Sequence, residues 1–187
     1  YAQDSHGLRH HIHAREARTL LETERMIASR FDASLFVSEA EAALFQELAP
    51  ESAGRVHFWD NGVDCDYFDP QLSFPNPYGQ GQTLVFTGAM DYLPNVQAVV
   101  WFSEMVFDII RQKVPTTRLA IVGARPTKAV KQLARIPGIE VTGAVPDIRP
   151  YLAHAQVAIA PLRIARGVQN KILEAMALAK PIVTTSL

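Results

Sequence analysis

Val157-Ala158-Ile159-Ala160-Pro161-Leu162-Arg163-Ile164-Ala165-Arg166-Gly167-Val168-Gln169-Asn170-Lys171-Ile172-Leu173-Glu174-Ala175-Met176-Ala177 is the stretch that decides how this chain folds. Its first four residues are continuously apolar, as in a strand buried on both faces, and Pro161 ends the run. A loop with two arginines and a glycine follows, and residues 168–179 then read as a helix. Strand, loop and helix in that order form the repeating unit of a parallel α/β sheet.

The same unit recurs on both sides of this stretch. Short runs rich in β-branched and aliphatic residues lie at 84–87, 119–122 and 139–142 before it and at 182–185 after it. Helical segments at 95–112, 127–135 and 148–155 fill the gaps. The expected fold is therefore α/β, a Rossmann-like parallel sheet with helices on both faces. Ligands of such sheets sit beyond the carboxyl ends of the strands, where Gly88, Gly123, Gly143 and Pro161 each directly follow a run. Neither GxGxxG nor GxxxxGK[ST] occurs, so the usual dinucleotide and P-loop fingerprints are absent.

The first third has a different character. Residues 13–30 read as a charged helix with Ala17, Leu20, Leu21, Met26 and Ile27 roughly three and four apart. A strand at 34–37 precedes Ser38 and Glu41, whose spacing is that of a capping box opening a helix. A further strand at 56–59 ends at Asn61-Gly62. Asp69-Pro70, Pro75, Pro77, Gly79 and Gly81 mark 69–82 as a linker, dividing the chain into 1–68 and 83–187.

Composition narrows the function classes. With 187 residues, 48% hydrophobic and 20% charged, and a formal net charge of −1, the chain has globular composition and no basic stripe for a nucleic-acid partner. A single cysteine, Cys65, allows no internal disulfide and implies a reducing, cytoplasmic setting. No apolar run approaches the roughly 20 residues of a membrane span. His6, His10, His11 and His13 match no zinc spacing, so no metal is expected. Trp59 and Trp101 lie in apolar runs and are expected to pack in the core. The chain starts without methionine and stops just after a strand-like run. It is thus expected to be a fragment, incomplete at its C-terminus and inactive alone, with an open sheet edge that favours pairing into a dimer.

Chemistry is expected around residues 163–174. A helix start offers free amides and a positive dipole to an anion. Arg163 and Arg166 can approach that anion from the loop, and Lys171 adds charge from the first turn. Glu174, about one turn further, can accept hydrogen bonds from two neighbouring hydroxyls, which together reads as phosphate beside polyol. The same Lys–Glu pair, spaced i, i+3, is equally at home as a solvated surface pair.

Residues 167–177 resemble the donor-binding signature of family 4 (group 1) glycosyltransferases, in which a glycine loop leads into a helix carrying Glu-Ala-Met-Ala. Phe36-Val37-Ser38-Glu39, Asn61-Gly62-Val63-Asp64, Leu84-Val85-Phe86-Thr87-Gly88 and Ile121-Val122-Gly123 are similar to further family blocks in the same order. More narrowly, Gly88-Ala89-Met90-Asp91-Tyr92-Leu93-Pro94-Asn95 and residues 160–171 look like the bacterial sugar transferases of exosortase and exopolysaccharide systems. The resemblance implies a GT-B architecture. Residues 1–68 would be the end of the acceptor domain, and 83–187 the nucleotide-sugar domain.

By the same resemblance the reaction is a retaining, metal-independent transfer from a nucleotide-diphosphate sugar to a glycan or lipid-linked acceptor. The full-length enzyme would work in the cytoplasm, at the inner face of the membrane as a peripheral protein, and no cofactor is implied. Glu174 matches the ribose-binding glutamate, Gly167, Val168 and Gln169 the amides facing sugar and diphosphate, and Gly88 the cleft-mouth glycine. Val145 lies in the loop that holds the base, and no catalytic residue is assigned in this part of the protein. Two departures stand out. Arg166 replaces a second family glutamate, and Ala89 and Pro94-Asn95 stand where an arginine and a lysine usually neutralise the diphosphate. Arg163 and Lys171 are expected to supply that charge. A nucleotide-sugar epimerase of the same fold and a non-catalytic Rossmann-like module are the alternative readings.

Overall fold

The computed structural model describes residues 8–164 and 168–185, in two compact units, Tyr1–Asn61 and Gly62–Leu187.

The first unit runs α1 (Leu8–Arg30), β1 (Ser34–Phe36), α2 (Glu39–Leu48), a 3-10 turn (Pro50–Arg55) and β2 (Val56–Phe58). β1 and β2 pair in parallel, Ser34 opposite Val56, with α2 as their crossover. That helix starts where the capping pattern predicts. Ser38 has extended backbone, and its Oγ accepts the Glu41 amide at 3.2 Å. Phe45 and Ala42 of α2 pack with Ala28, Ala49 and Val56 into a small core. The Arg25 guanidinium forks onto Glu51 at 2.7 and 2.9 Å and ties α1 to the 3-10 turn. Trp59 corrects its expected place in the core. Its amide extends the strand by donating to the Phe36 carbonyl at 2.8 Å, but its side chain is 76% exposed. Pairing the backbone of a strand end does not decide which way the indole turns.

The second unit runs β3 (Thr83–Thr87), α3 (Leu93–Met105), α4 (Phe107–Lys113), β4 (Arg118–Val122), α5 (Lys128–Leu133), β5 (Ile139–Gly143), α6 (Arg149–His154), β6 (Val157–Ala160), α7 (Asn170–Ala177) and β7 (Ile182–Thr184). The strands form one parallel sheet in the order β5-β4-β3-β6-β7. Side chains alternate along each strand, so the near-continuous apolar runs feed two cores at once. Phe86, Leu119, Ile121 and Ile159 face α3, α4 and α5 through Val99, Phe102, Phe107 and Val130. Val85, Ala120, Val122 and Ala158 face α6 and α7 through Leu152, Ala175 and Leu178. The expected Rossmann-like sheet, covered on both faces, is present.

Two features differ from the sequence reading. The helix expected over 95–112 is two helices, bent by 41° between Met105 and Phe107. The bend buries both Phe102 and Phe107 against the sheet, which a straight helix leaving the sheet surface would not do. Residues 62–82 contain no regular element, yet Phe68, Phe74 and Tyr78 pack onto the core on the α6 side. Arg149 clamps this segment. Its guanidinium lies 3.7 Å from the Tyr67 ring centroid, donates to the Tyr67 carbonyl at 3.2 Å and pairs with Asp147 at 2.8 Å. That guanidinium also holds the Asp147 carboxyl below its ordinary value by hydrogen bonding. Trp101, partly buried, packs on the α3–α5 face as expected. No single described helix is long and apolar enough to cross a membrane.

Candidate functional site

The carboxyl ends of β3, β4 and β5 are fastened to one another by their own backbones. Gly88 donates to the Val122 carbonyl at 3.1 Å, and Gly123 to the Gly143 carbonyl at 3.1 Å. Met90 donates to Ala124 at 2.8 Å, and Thr127 returns a bond to Met90 at 3.2 Å. The approach is so close that a β-carbon on Gly123 would lie 1.7 Å from the Gly88 carbonyl oxygen. Glycine is required there by contact, and its φ of +155° adds to the requirement. Asp91 and Arg125 close the rim with a two-pronged ion pair between the β3 and β4 loops, and it holds the Asp91 carboxyl below its ordinary value.

Against this rim α7 brings Lys171 and Glu174. The Lys171 ammonium donates to Asn95 Oδ1 at 2.6 Å and sits 4.4 Å from the Phe86 ring centroid. Asn95, in turn, donates from Nδ2 to the Ala89 carbonyl at 2.9 Å, which pins the turn after β3. A β-carbon on Gly88 would lie 2.7 Å from Asn95 Nδ2 and 3.2 Å from Lys171 Nζ. Gly88, Asn95 and Lys171 therefore form one packed cluster, built from β3, α3 and α7. Burial pushes the Lys171 ammonium down to about 8, with Glu174 pulling the other way. Burial likewise raises the Glu174 carboxyl, opposed by Lys171. A half-buried cation and carboxylate one turn apart, both short of solvation, are poised to gain from a ligand that replaces the missing water.

The other expected site residues fall as follows. Val168 and Gln169 lie at the start of α7, half-buried, and the Gln169 carbonyl accepts the Ile172 amide at 2.9 Å. Val145 packs its side chain against the α6–α7 core, leaving its backbone as the part that can face a ligand. Arg163 is exposed, with its guanidinium 5.9 Å from the Trp101 ring centroid. Arg166 and Gly167 lie outside the described residues. In the sequence Asn95 stands out only as a departure from the family pattern, with no role in the site. Its signal is present nonetheless, since it shares the apolar face of α3 with Ala98, Val99 and Phe102. An asparagine on a buried helix face needs partners for its amide, and here they are Ala89 and Lys171.

Among the described residues no group of three or more His, Cys, Asp or Glu side chains is placed to hold a metal ion. Cys65 is exposed.

A two-faced parallel sheet with a cationic and carboxylate-bearing helix at its carboxyl rim has the Rossmann-like fold of GT-B structures. The family model of the group 1 glycosyl transferases matches residues 81–187, and the chain belongs to that family. Among solved structures it is similar to Anabaena HepE in complex with UDP and glucose, with a TM-score of 0.67 at 17% identity, covering 89% of this chain and 48% of HepE. It is also similar to WaaG, a glycosyltransferase involved in lipopolysaccharide biosynthesis, with a TM-score of 0.61 at 18% identity over 80% of this chain and 43% of WaaG. Sucrose-phosphate synthase from Thermosynechococcus elongatus gives 0.64 at 19% identity, over 89% and 44% of the two chains. The chain thus spans about half the length of these structures or less. No curated protein sequence matches it.

Proposed function

We propose that this chain carries the nucleotide-sugar side of a glycosyltransferase that moves a hexosyl group from a nucleoside-diphosphate sugar to a glycan or lipid-linked acceptor. The observation that carries the reading is the pairing of Lys171 and Glu174 on one face of α7, with Lys171 reaching the Gly88 turn at the carboxyl end of β3. In this site Glu174 accepts the two ribose hydroxyls. Lys171 meets the diphosphate, together with the α7 amides around Gly167, Val168 and Gln169, and Arg163 and Arg166 add charge from the loop. The backbone at Val145 holds the base.

Negative charge grows on the leaving diphosphate as the glycosidic bond breaks. Fixed donors aimed at that charge lower the barrier without a metal ion. The transfer retains the anomeric configuration and asks no nucleophile or base of the second unit. The setting is exopolysaccharide or other cell-surface polysaccharide synthesis, at the cytoplasmic face of the membrane. Support for this setting is the motif resemblance, together with the lipopolysaccharide role of WaaG.

Calorimetric titration with UDP, GDP and ADP in the absence of metal tests the reading. Binding of one of the three, abolished in Glu174→Ala, is the expected result; UDP is the first choice because HepE is seen with it. Failure of all three to bind the complete protein overturns the donor-site reading.

A further inference from the structure

A buried lysine is useful to a phosphate only if something holds it in place while the site is empty. An ammonium on four rotatable bonds otherwise samples many positions and loses that freedom on binding. In this chain the holding group comes from a different helix, 76 residues away. Asn95 is 5% exposed and spends its amide in two directions. Its Nδ2 fixes the Ala89 carbonyl, and its Oδ1 accepts the Lys171 ammonium at 2.6 Å. Phe86 lies beneath that ammonium, and Gly88 leaves room beside it that a β-carbon would close. At this place α3 presents a neutral amide, and the cation is delivered from α7.

We propose that Asn95 is the positioning residue of the donor site, holding Lys171 at the Gly88 turn so that the diphosphate meets a preorganised cation. The proposal rests on the donor-site reading and adds to it the residue that places the charge. Asn95 itself does not touch the donor. It acts through Lys171, and its amide carries no charge to repel the phosphates.

The test is a double-mutant cycle on the complete protein, read by calorimetric affinity for UDP, with uridine as the phosphate-free control followed by saturation-transfer NMR. If the titration above selects guanine or adenine, the corresponding diphosphate and nucleoside replace them. Asn95→Ala is expected to weaken UDP on the order of tenfold, the loss of one charge-assisted contact, and to leave uridine within about twofold. Asn95→Asp, which still meets Lys171 but cancels its charge and gives up the bond to the Ala89 carbonyl, is expected to weaken UDP further than Asn95→Ala. In a Lys171→Met background Asn95→Ala is expected to add no further loss.

An equal loss of UDP and uridine affinity in Asn95→Ala would make the residue a structural one and overturn the proposal. So would an undiminished effect in the Lys171→Met background, or no effect of Asn95→Ala on UDP. If Glu174→Ala abolishes UDP binding while the Asn95 variants leave it untouched, the donor-site reading stands and this proposal falls. If the wild-type protein binds no nucleoside diphosphate, both fall together.

Discussion

Replacing Lys171 by methionine removes a charge while keeping an unbranched stem over Phe86, and its consequences can be worked out from the structure. Burial lowers the Lys171 ammonium from 10.5 to about 8. That difference corresponds to about 3 kcal/mol by which the folded chain prefers the neutral amine more than the unfolded chain does. The unfolded chain binds this proton more tightly, so stability rises with pH wherever the two states differ in protonation. Below pH 8 the wild type carries the whole penalty. Between about pH 8 and 10.5 the penalty disappears, and by pH 10 it has fallen below about 1 kcal/mol. Methionine carries no such penalty, although it leaves Asn95 Oδ1 without its donor at every pH, a constant cost of about 1–3 kcal/mol.

The stability of the wild type relative to Lys171→Met is therefore expected to rise by about 2–3 kcal/mol between pH 7 and pH 10. Urea unfolding in a Trp59→Phe background measures it, because Trp101 then reports the second unit alone. Parallel pH profiles for the two proteins would refute the assignment of a desolvated ammonium to Lys171. The same residue sets a binding signature. A bound diphosphate draws the proton back, so wild-type affinity for UDP is expected to weaken about tenfold from pH 7 to pH 9, while the methionine variant stays flat.

Two further predictions concern the scaffold of the site. Gly123→Ala puts a β-carbon 1.7 Å from the Gly88 carbonyl at a φ of +155°. Relief breaks the backbone bonds that join the β3, β4 and β5 loops, so a loss of about 3–5 kcal/mol and of nucleotide binding is expected; a thermal melt within a degree or two of wild type would contradict the close approach. Arg149→Lys keeps the charge but not the planar fork that stacks on Tyr67 and grips Asp147. It should destabilise the second unit by about 1–2 kcal/mol and speed proteolysis within residues 62–82, and unchanged cleavage there would show that the segment is held by its aromatic side chains alone.

Much of this architecture could be read locally. The alternation of Leu119 and Ile121 with Ala120 and Val122 is a property of neighbouring residues, and it already implies a strand with both faces buried. Ser38 and Glu41 announce the start of α2 because the bond they make spans three residues. The glycines after β3, β4 and β5 mark the sheet rim for the same reason. The order β5-β4-β3-β6-β7 was decided elsewhere, since it places β3 beside β6 across four intervening helices and two strands.

The break at Val106 shows a similar limit. Nothing in the spacing of 95–112 distinguishes one helix from two, and the choice came from burying Phe102 and Phe107 against a sheet surface formed by distant strands. At the site the division is sharpest. The i, i+3 spacing alone places Lys171 and Glu174 on one helix face. That Lys171 is half-desolvated, floored by Phe86 and held by Asn95 follows from the folded arrangement, because those partners lie 85 and 76 positions away and meet it where α3 and α7 cover the sheet. Periodicity is written in residues a few places apart, whereas desolvation and preorganisation depend on which surfaces the folded chain brings into contact.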